Sequence, residues 1–244
     1  LSGINHALAN AFRRTMMAIV PTMAIDEVEI RKNGSVLYDE ILAHRLGLLT
    51  LTTDLKSYTI KSECKCGGEG CARCTLKMTL KAKGPALVLA SEIKSKDPRV
   101  KPAHPDTPIV KLLKGQELEF EATAILGRGK DHTKWSPGLI WYKRKPLITL
   151  DDKKLKNAAA VAQSCPVNVY ETKGDKLLTK KPDDCILCMA CVEVGNGAVD
   201  VKGSIDTFIF NVEPWGQLDA KQIVLNAMDT LSNEIDALAD AVSK

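Results

Sequence analysis

The eight cysteines of this chain form two groups of four, and their spacing could bind metal. In the later group, Cys185, Cys188 and Cys191 are each separated by two residues within PDDCILCMACVEVG. This spacing allows one short loop to place three thiolates around an iron–sulfur cluster. A cubane cluster takes four ligands, but residues 194–196, where the run would continue, contain no cysteine. The fourth ligand must therefore lie elsewhere.

Cys165, in the segment QSCPVNV, is predicted to be that fourth ligand. A proline follows it, as in the Cys-Pro ending of ferredoxin cysteine runs. The intervening VNVYETKGDKLLTKKP has the pattern of a hairpin that could return the chain to the run. Cys165, Cys185, Cys188 and Cys191 are therefore expected to bind one [4Fe–4S] cluster. The alternatives are a [3Fe–4S] cluster with one cysteine idle, a zinc site, or a disulfide pair.

The earlier group consists of two close pairs, Cys64 with Cys66 and Cys71 with Cys74, on either side of the loop GGEG. Glycines permit sharp backbone turns, and four thiolates arranged in this way suit one tetrahedral Zn²⁺ ion. Because the protein supplies all four ligands, the predicted zinc site is structural rather than catalytic. The tight spacing favours metal over disulfides, except in a hyperthermophile, whose intracellular proteins can contain disulfides.

No group of residues in the sequence predicts a catalytic site. The four histidines are scattered, and no acidic cluster is suited to catalytic Mg²⁺. The segment GRGK at 127–130 lacks the glycine spacing and the following Ser or Thr of a phosphate-binding loop. The chain is therefore expected to carry no catalytic residues of its own.

Composition and charge indicate a globular protein with unevenly distributed charge. Apolar residues make up 45% of the 244 and charged residues 26%. No apolar run approaches the roughly 18–20 residues of a membrane span, and no signal peptide is evident, so a cytoplasmic protein without membrane contact is expected. Residues 127–156 carry a net charge of +6, whereas residues 183–244 carry −8. This asymmetry suggests different partners for different faces, although charged surfaces are more often merely solvated.

The first element expected to position these groups is a helix over residues 4–20, which Pro21 ends. Its apolar stripe comprises Leu8, Ala11, Phe12, Thr15, Met16 and Ile19. A strand at EVEIRKN, a turn, a helix at YDEILAHRLGLL and a strand at LTLTT are predicted to follow. From 51 to 150 the pattern is β-rich and broken by Pro and Gly, with short strands predicted at CTLKMTLKAKG and QELEFEATAIL.

The C-terminal segment predicts a strand at IDTFIFNVE and then a long helix from Asp219, which could form a capping box with Gln222. Apolar side chains recur along this helix at steps of four and three residues: Val224, Met228, Leu231, Ile235, Leu238 and Val242. This period of 3.5 residues is typical of helices that pack along one another. Packing on the chain's own sheet accounts for part of the apolar face, and a partner helix is an equally good explanation for the rest.

Several segments resemble the α-type assembly subunits of RNA polymerase. The matching segments are ANAFRRTMMAIVPTMAIDEVEI, LYDEILAHRLGLLTL, PIVKLLKGQELEF, LGRGKDHTKWSPG and TFIFNVEPWGQL. The resemblance covers nearly the whole chain and is strongest to the archaeal members of this family, the D-type subunits. It extends to the N-terminal domain of the bacterial α subunit and to the third-largest subunit of eukaryotic RNA polymerase II. Two features depart from the family: no strand precedes the first helix, and the Cys-rich module has one cysteine run where some relatives have two.

The resemblance implies an α+β fold with four parts. Residues 1–50 and 204–244 would together form a split dimerisation domain of mixed helices and antiparallel sheet. Residues 51–156 would form a β-rich insert domain that carries the zinc loop. Residues 157–203 would form a small ferredoxin-like iron–sulfur module, which some archaeal relatives carry within this insert.

The resemblance also implies a function: a non-catalytic subunit that pairs with subunit L of an archaeal RNA polymerase and then binds subunits N and P and the large subunits. Little or no direct DNA contact is expected, and the cluster would be mainly structural or regulatory. The expected interface side chains are Leu8, Phe12, Val224, Met228, Leu231, Ile235 and Leu238. Arg13 and Arg14, expected to be exposed beside the stripe, are candidates for contact with a large subunit or belong to an ordinary solvated helix face.

A second function, from a different class, is a ferredoxin-type electron-transfer component of a redox complex. Redox subunits usually carry several clusters within tunnelling distance of one another, and this chain offers ligands for one. The polymerase hypothesis is therefore the stronger of the two.

Overall fold

The computed structural model describes residues 1–243, and the chain divides into two compact units. One unit contains residues 1–11 and 141–211, and the other contains residues 12–140 with the C-terminal segment from Val212. We call them the Cys-rich unit and the sheet unit. The fold combines helices with antiparallel sheet, which confirms the expected α+β class. The four-part domain division stays a prediction.

The secondary structure contains five α-helices and ten strands among the described residues, besides short 3-10 turns. The helices are α1 (His6–Ala18), α2 (Asp39–Gly47), α3 (Ala158–Gln163), α4 (Ala190–Gly195) and α5 (Ala220–Val242). The strands are β1 (Pro21–Asn33), β2 (Leu76–Lys83), β3 (Ala86–Leu89), β4 (Lys94–Ser95), β5 (Pro108–Leu112), β6 (Glu117–Arg128), β7 (Gly138–Leu150), β8 (Tyr170–Lys173), β9 (Lys176–Thr179) and β10 (Val199–Pro214). Across the described residues, none of these helices is both long enough and apolar enough to cross a bilayer.

The sheet unit is built on a four-stranded antiparallel sheet in the order β1-β6-β2-β4. Residues of β2 alternate between buried and exposed along the whole strand, as its sequence pattern predicts. The register places Leu80 beside Phe120 on the buried face. On the other face, Lys83 pairs with Glu117 at 2.8 Å and Lys81 pairs with Glu119 at 3.0 Å.

One hydrophobic cluster fills the space on the buried side of this sheet. The helix α2 contributes Leu42 and Leu46, both fully buried, and the paired strands β3 and β5 close another side. The expected strand at LTLTT does not form: only Leu51 makes a single bridge, with Pro102. The reason is that successive backbone amides donate to different segments of the chain. The amide of Thr52 donates to the carbonyl of Lys101, whereas the amide of Thr53 donates to the carbonyl of Gln217.

The Cys-rich unit contains the hairpin of β8 and β9, which confirms the hairpin predicted between Cys165 and the cysteine run. A second hydrophobic cluster joins this hairpin to α3, α4 and the start of β10. The strand β10, which includes the predicted IDTFIFNVE, pairs with β7. Before α1 the chain forms no strand among the described residues, but it makes an isolated bridge between Ser2 and Thr207 and further backbone hydrogen bonds to β10.

The helix α5 begins with the predicted capping box. The Asp219 side chain accepts a hydrogen bond from the Gln222 amide at 2.7 Å, and the Gln222 side chain accepts one from the Asp219 amide at 3.1 Å. Two amides that the first turn would leave without partners are thus satisfied. The helix then runs for 23 residues to Val242.

Candidate metal centres and helix interface

The first cysteine quartet, Cys64, Cys66, Cys71 and Cys74, has the dimensions of a tetrahedral metal site. Its four sulfurs all lie within 4.8 Å of one another. The Sγ–Sγ distances are 3.6 Å between Cys64 and Cys71, 3.6 Å between Cys66 and Cys74, and 3.9 Å between Cys71 and Cys74. Zn–S bonds of about 2.3 Å at tetrahedral angles place sulfurs about 3.8 Å apart, whereas a disulfide needs about 2.0 Å. The four thiols fit one ion.

Glycines allow the loop between the two cysteine pairs to turn back on itself. Gly67, Gly68 and Gly70 adopt φ angles of 68°, 87° and 99°, a region that side chains other than glycine rarely enter. Backbone amides of Cys71 and Gly70 donate to the Cys66 sulfur and lower the pKa of that thiol to about 5. A low thiol pKa favours the thiolate, which is the form that binds metal.

An ion pair anchors this loop to the sheet. Glu63, directly before the first ligand, contacts Arg128 at the end of β6 with an N–O distance of 2.8 Å. The sequence pattern did not predict this contact, because the two residues lie far apart in the chain and no local signal connects them.

The second quartet has a different geometry. Cys165, Cys185 and Cys191 are buried, whereas Cys188 is exposed. Burial raises the pKa of the Cys185 thiol, and the nearby sulfurs of the other three cysteines raise it further. The structure therefore brings together the four residues that the sequence predicted as one ligand set.

The second quartet does not belong to the compact ligand groups found among the described residues. In the part of the chain that the structure describes, the first quartet is the compact group of three or more potential ligands suited to a single metal ion. In an iron–sulfur cubane each thiolate binds a different iron, so the sulfurs stand further apart than around one zinc ion. All four cysteines are free of disulfides. The donor set is thus compatible with a cluster.

The backbone around the second quartet is strained. Among the described residues, the non-glycine residues with clearly positive φ are Asn168, Leu187, Met189 and Asn196, all of them in this segment. Leu187 and Met189 lie between successive cysteines of the run. The left-handed conformation costs such residues roughly 1–2 kcal/mol each. Strain of this kind clusters at functional sites, which favours a ligand-binding role for the loop.

Polar groups surround the sulfurs of the second quartet. The Tyr170 hydroxyl donates to the Cys191 sulfur at 3.2 Å, in a buried position. Backbone amides donate to the sulfurs of Cys165 and Cys185, each at 3.4 Å. The Lys143 ammonium donates to the Cys185 carbonyl at 3.1 Å. Neither Tyr170 nor Lys143 was predicted from the sequence, because their roles depend on the folded positions of β8 and β7.

The apolar seam of α5 faces outward in this chain. The helix buries Ile223 and Ala227, which are not seam positions, in its own unit. Val224 and Leu231 are half-buried. The remaining seam side chains are increasingly exposed toward the C-terminus: Met228 43%, Ile235 55%, Leu238 64% and Val242 79%.

The interface residues predicted on α1 differ in how far their side chains are exposed to solvent. Leu8 is 42% exposed, but Phe12 is buried within the chain. Arg14 is exposed. The expectation that Arg13 is also exposed is wrong: it is half-buried, and its Nη1 lies 3.4 Å from the Met17 sulfur, because residues four apart meet on one helix face.

Comparisons with known proteins agree with these observations. A family model described as the RNA polymerase Rpb3/RpoA insert domain matches residues 28–140. The chain is 40% identical to DNA-directed RNA polymerase subunit Rpo3 of Methanosarcina acetivorans, over 98% of this chain and 91% of the relative. It is 37% identical to Rpo3 of Archaeoglobus fulgidus (98% and 90% covered) and 36% identical to Rpo3 of Pyrococcus furiosus (100% and 92%). The chain therefore belongs to the archaeal Rpo3 family of DNA-directed RNA polymerase subunits, which is the D-type family that its sequence resembles.

Proposed function

We propose that this polymerase subunit acts as a non-catalytic assembly platform and pairs with the small α-like subunit L through the outward seam of α5. Subunits N and P and the large subunits would then bind to the resulting heterodimer. Residues such as Arg14 are candidates for the later contacts, and little direct DNA contact is expected. The cytoplasm, where transcription occurs in archaea, is the proposed location.

The exposed seam is the observation that carries this proposal. Soluble monomers rarely leave a long row of large apolar side chains in water. Burying each Leu or Ile is worth roughly 1.5–3 kcal/mol. Ile235 and Leu238 are each more than half exposed, so a second helix packed along the 3.5-residue seam would gain most of this free energy.

Charges placed on the seam test the proposal. We expect Leu231→Glu with Ile235→Glu to weaken pairing with subunit L by more than about 100-fold, because two carboxylates would enter an apolar contact. The measurement is the amount of co-expressed subunit L that co-purifies with the tagged chain, followed by titration of the purified pair. Both metal contents should stay unchanged.

The matched control changes the charge of the same helix away from the seam, with Asp229→Lys and Asp236→Lys. Both aspartates are exposed, so this variant should pair normally. If the seam variant pairs as tightly as the control, the proposed interface is wrong.

We also propose that the first quartet binds one structural Zn²⁺ and the second binds one [4Fe–4S] cluster, with Cys165, Cys185, Cys188 and Cys191 as ligands. The tetrahedral sulfur spacing supports the zinc site, and the four disulfide-free thiols of a strained segment support the cluster. A cluster with the exposed Cys188 idle would be of the [3Fe–4S] type. Elemental analysis of anaerobically purified protein separates these states, because about four iron and four sulfide per chain indicate the cubane.

The cluster is proposed to have a structural or regulatory role. The alternative, an electron-transfer component of a redox complex, receives no support from the comparisons, because the relatives compared are polymerase subunits. Identification of the proteins that co-purify with the tagged chain distinguishes the two. Polymerase subunits are expected, and an oxidoreductase in their place would contradict the proposal.

A further inference from the structure

Tyr170 occupies an unusual position for a tyrosine hydroxyl. It is the first residue of β8, its side chain is buried, and its hydroxyl donates to the Cys191 sulfur at 3.2 Å. Two other tyrosines bond to nitrogen or oxygen: Tyr58 donates to Asp97 at 3.0 Å, and Tyr142 contacts His6 at 3.0 Å. The Tyr170 hydroxyl is thus directed at an atom that belongs to the proposed cluster site.

Two consecutive residues at the start of the hairpin donate hydrogen bonds to two different cysteines of the proposed ligand set. The amide of Val169 donates to the Cys165 sulfur, and the next residue, Tyr170, donates to Cys191. Antiparallel pairing of Tyr170 with Thr179 fixes the start of β8. Tyr170 also belongs to the hydrophobic cluster that contains Cys165 and Cys191. A donor held in this way is already oriented before any metal binds.

We propose that Tyr170 is a tuning residue for the cluster: its hydroxyl donates a hydrogen bond to the ligating sulfur of Cys191 and raises the reduction potential. This inference rests on the proposed cluster. A hydrogen bond to a ligand sulfur withdraws electron density from it and therefore stabilises the reduced, more negative state more than the oxidised one. Hydrogen bonds to the sulfurs are among the factors that set the potentials of iron–sulfur clusters.

The test is the midpoint potential of the full chain with Tyr170→Phe, which keeps the aromatic ring and removes the donor. We expect the iron content to stay that of wild type, and the equilibrium constant for one-electron reduction to fall by about threefold to tenfold, where tenfold corresponds to about 59 mV. A residue that only fills space would leave the potential unchanged. Redox titration monitored by electron paramagnetic resonance gives the value.

The matched control is Tyr142→Phe, which removes a hydroxyl from the same unit but one that contacts His6 rather than a sulfur. Its potential should equal that of wild type. An unchanged potential in Tyr170→Phe, or an equal shift in both variants, overturns the inference while leaving the cluster assignment intact. Wild-type protein without iron overturns both.

A second measurement applies if Tyr170→Phe does not fold. Replacing all four tyrosines with 3-fluorotyrosine makes each hydroxyl a stronger donor without removing it. The potential of the labelled protein should then rise, and it should rise equally in labelled Tyr142→Phe. A labelled protein with the wild-type potential overturns the inference.

Discussion

The two cysteine quartets have equal numbers of thiols but different relations to the hydrophobic core. The first lies in a glycine-rich loop of the sheet unit, whose apolar cluster of 23 buried residues includes none of its cysteines. The second contributes three of the ten buried residues in the cluster of its own unit. One site closes a loop on a unit that already has a core, whereas the other is part of the core itself.

This difference shows what a bound metal can do for a fold. A small module rarely obtains more than about 3–5 kcal/mol from its apolar core. Where cysteines occupy central positions in that core, a bound cluster can supply the missing stability. Where they lie in a loop, the metal orders only the loop. The following predictions test this contrast, from the largest expected effect to the smallest.

Removal of a buried residue that we propose as a cluster ligand should have the largest effect. In Cys185→Ser we expect iron to be lost and amide exchange in the hairpin 170–179 to accelerate by about 100-fold or more, because the module's core loses most of the roughly 3–5 kcal/mol available to it. Hydrogen exchange monitored by mass spectrometry gives the rates. Zinc content and exchange in β6 should not change, and a protected hairpin without iron would refute the contrast.

Removal of a residue that we propose as a zinc ligand should have a smaller and more local effect. Cys74→Ser is expected to release zinc and to increase exchange in the loop 61–75, while protection of the four-stranded sheet falls by less than about tenfold, or about 1.4 kcal/mol. The physical reason is that the large cluster on this sheet contains no ligand cysteine. Iron content serves as the internal control. Unfolding of the whole sheet unit after zinc loss would show that both sites support the core of their unit, which would contradict the contrast.

The smallest predicted effect concerns the ion pairs on the charged face of the same sheet, whose contribution to stability is lost at low pH. Lys83 and then Lys32 lower the pKa of Glu117 from 4.5 to about 2. A lowered folded-state pKa gives stability that is present above pH 4.5 and is lost as the pH falls toward 2. Because the carboxylate is partly exposed and screened by water, Glu117→Gln should lower the melting temperature at pH 7 by only about 2 °C or less.

The pH profile provides the check on this prediction. Calorimetry should show the difference between Glu117→Gln and wild type disappearing between pH 4.5 and 2. A difference that stays constant with pH would assign the effect to something other than these ion pairs.

Local patterns predicted much of this structure. The alternation in CTLKMTLKAKG specified which face of β2 is buried, because successive side chains of a strand point to opposite faces. Asp219 and Gln222 specified the start of α5, because the capping box joins two residues only three positions apart in the sequence. The spacing of the cysteines grouped the eight thiols into the two sets that the structure brings together.

Features that depend on tertiary contacts could not be predicted in this way. Leu51 makes a bridge rather than a strand because its neighbours bond to distant segments. The positive φ of Leu187 and Met189 contradicts the preferences of those residue types, so no propensity indicates it. Tyr170 is an ordinary strand residue by sequence, and its role follows only from the position of Cys191 in the folded chain.

The outward seam of α5 also bears on how a cell controls the amount of this protein. A copy without a partner carries Ile235, Leu238 and Val242 in water, and exposed apolar side chains are features that chaperones and proteases act on. A partner that binds this face of the folded chain stabilises the folded state by mass action and so lowers the fraction that is unfolded. If the proposed pairing holds, surplus copies are expected to be degraded, so that the abundance of this chain follows the supply of the proposed partner rather than its own rate of synthesis.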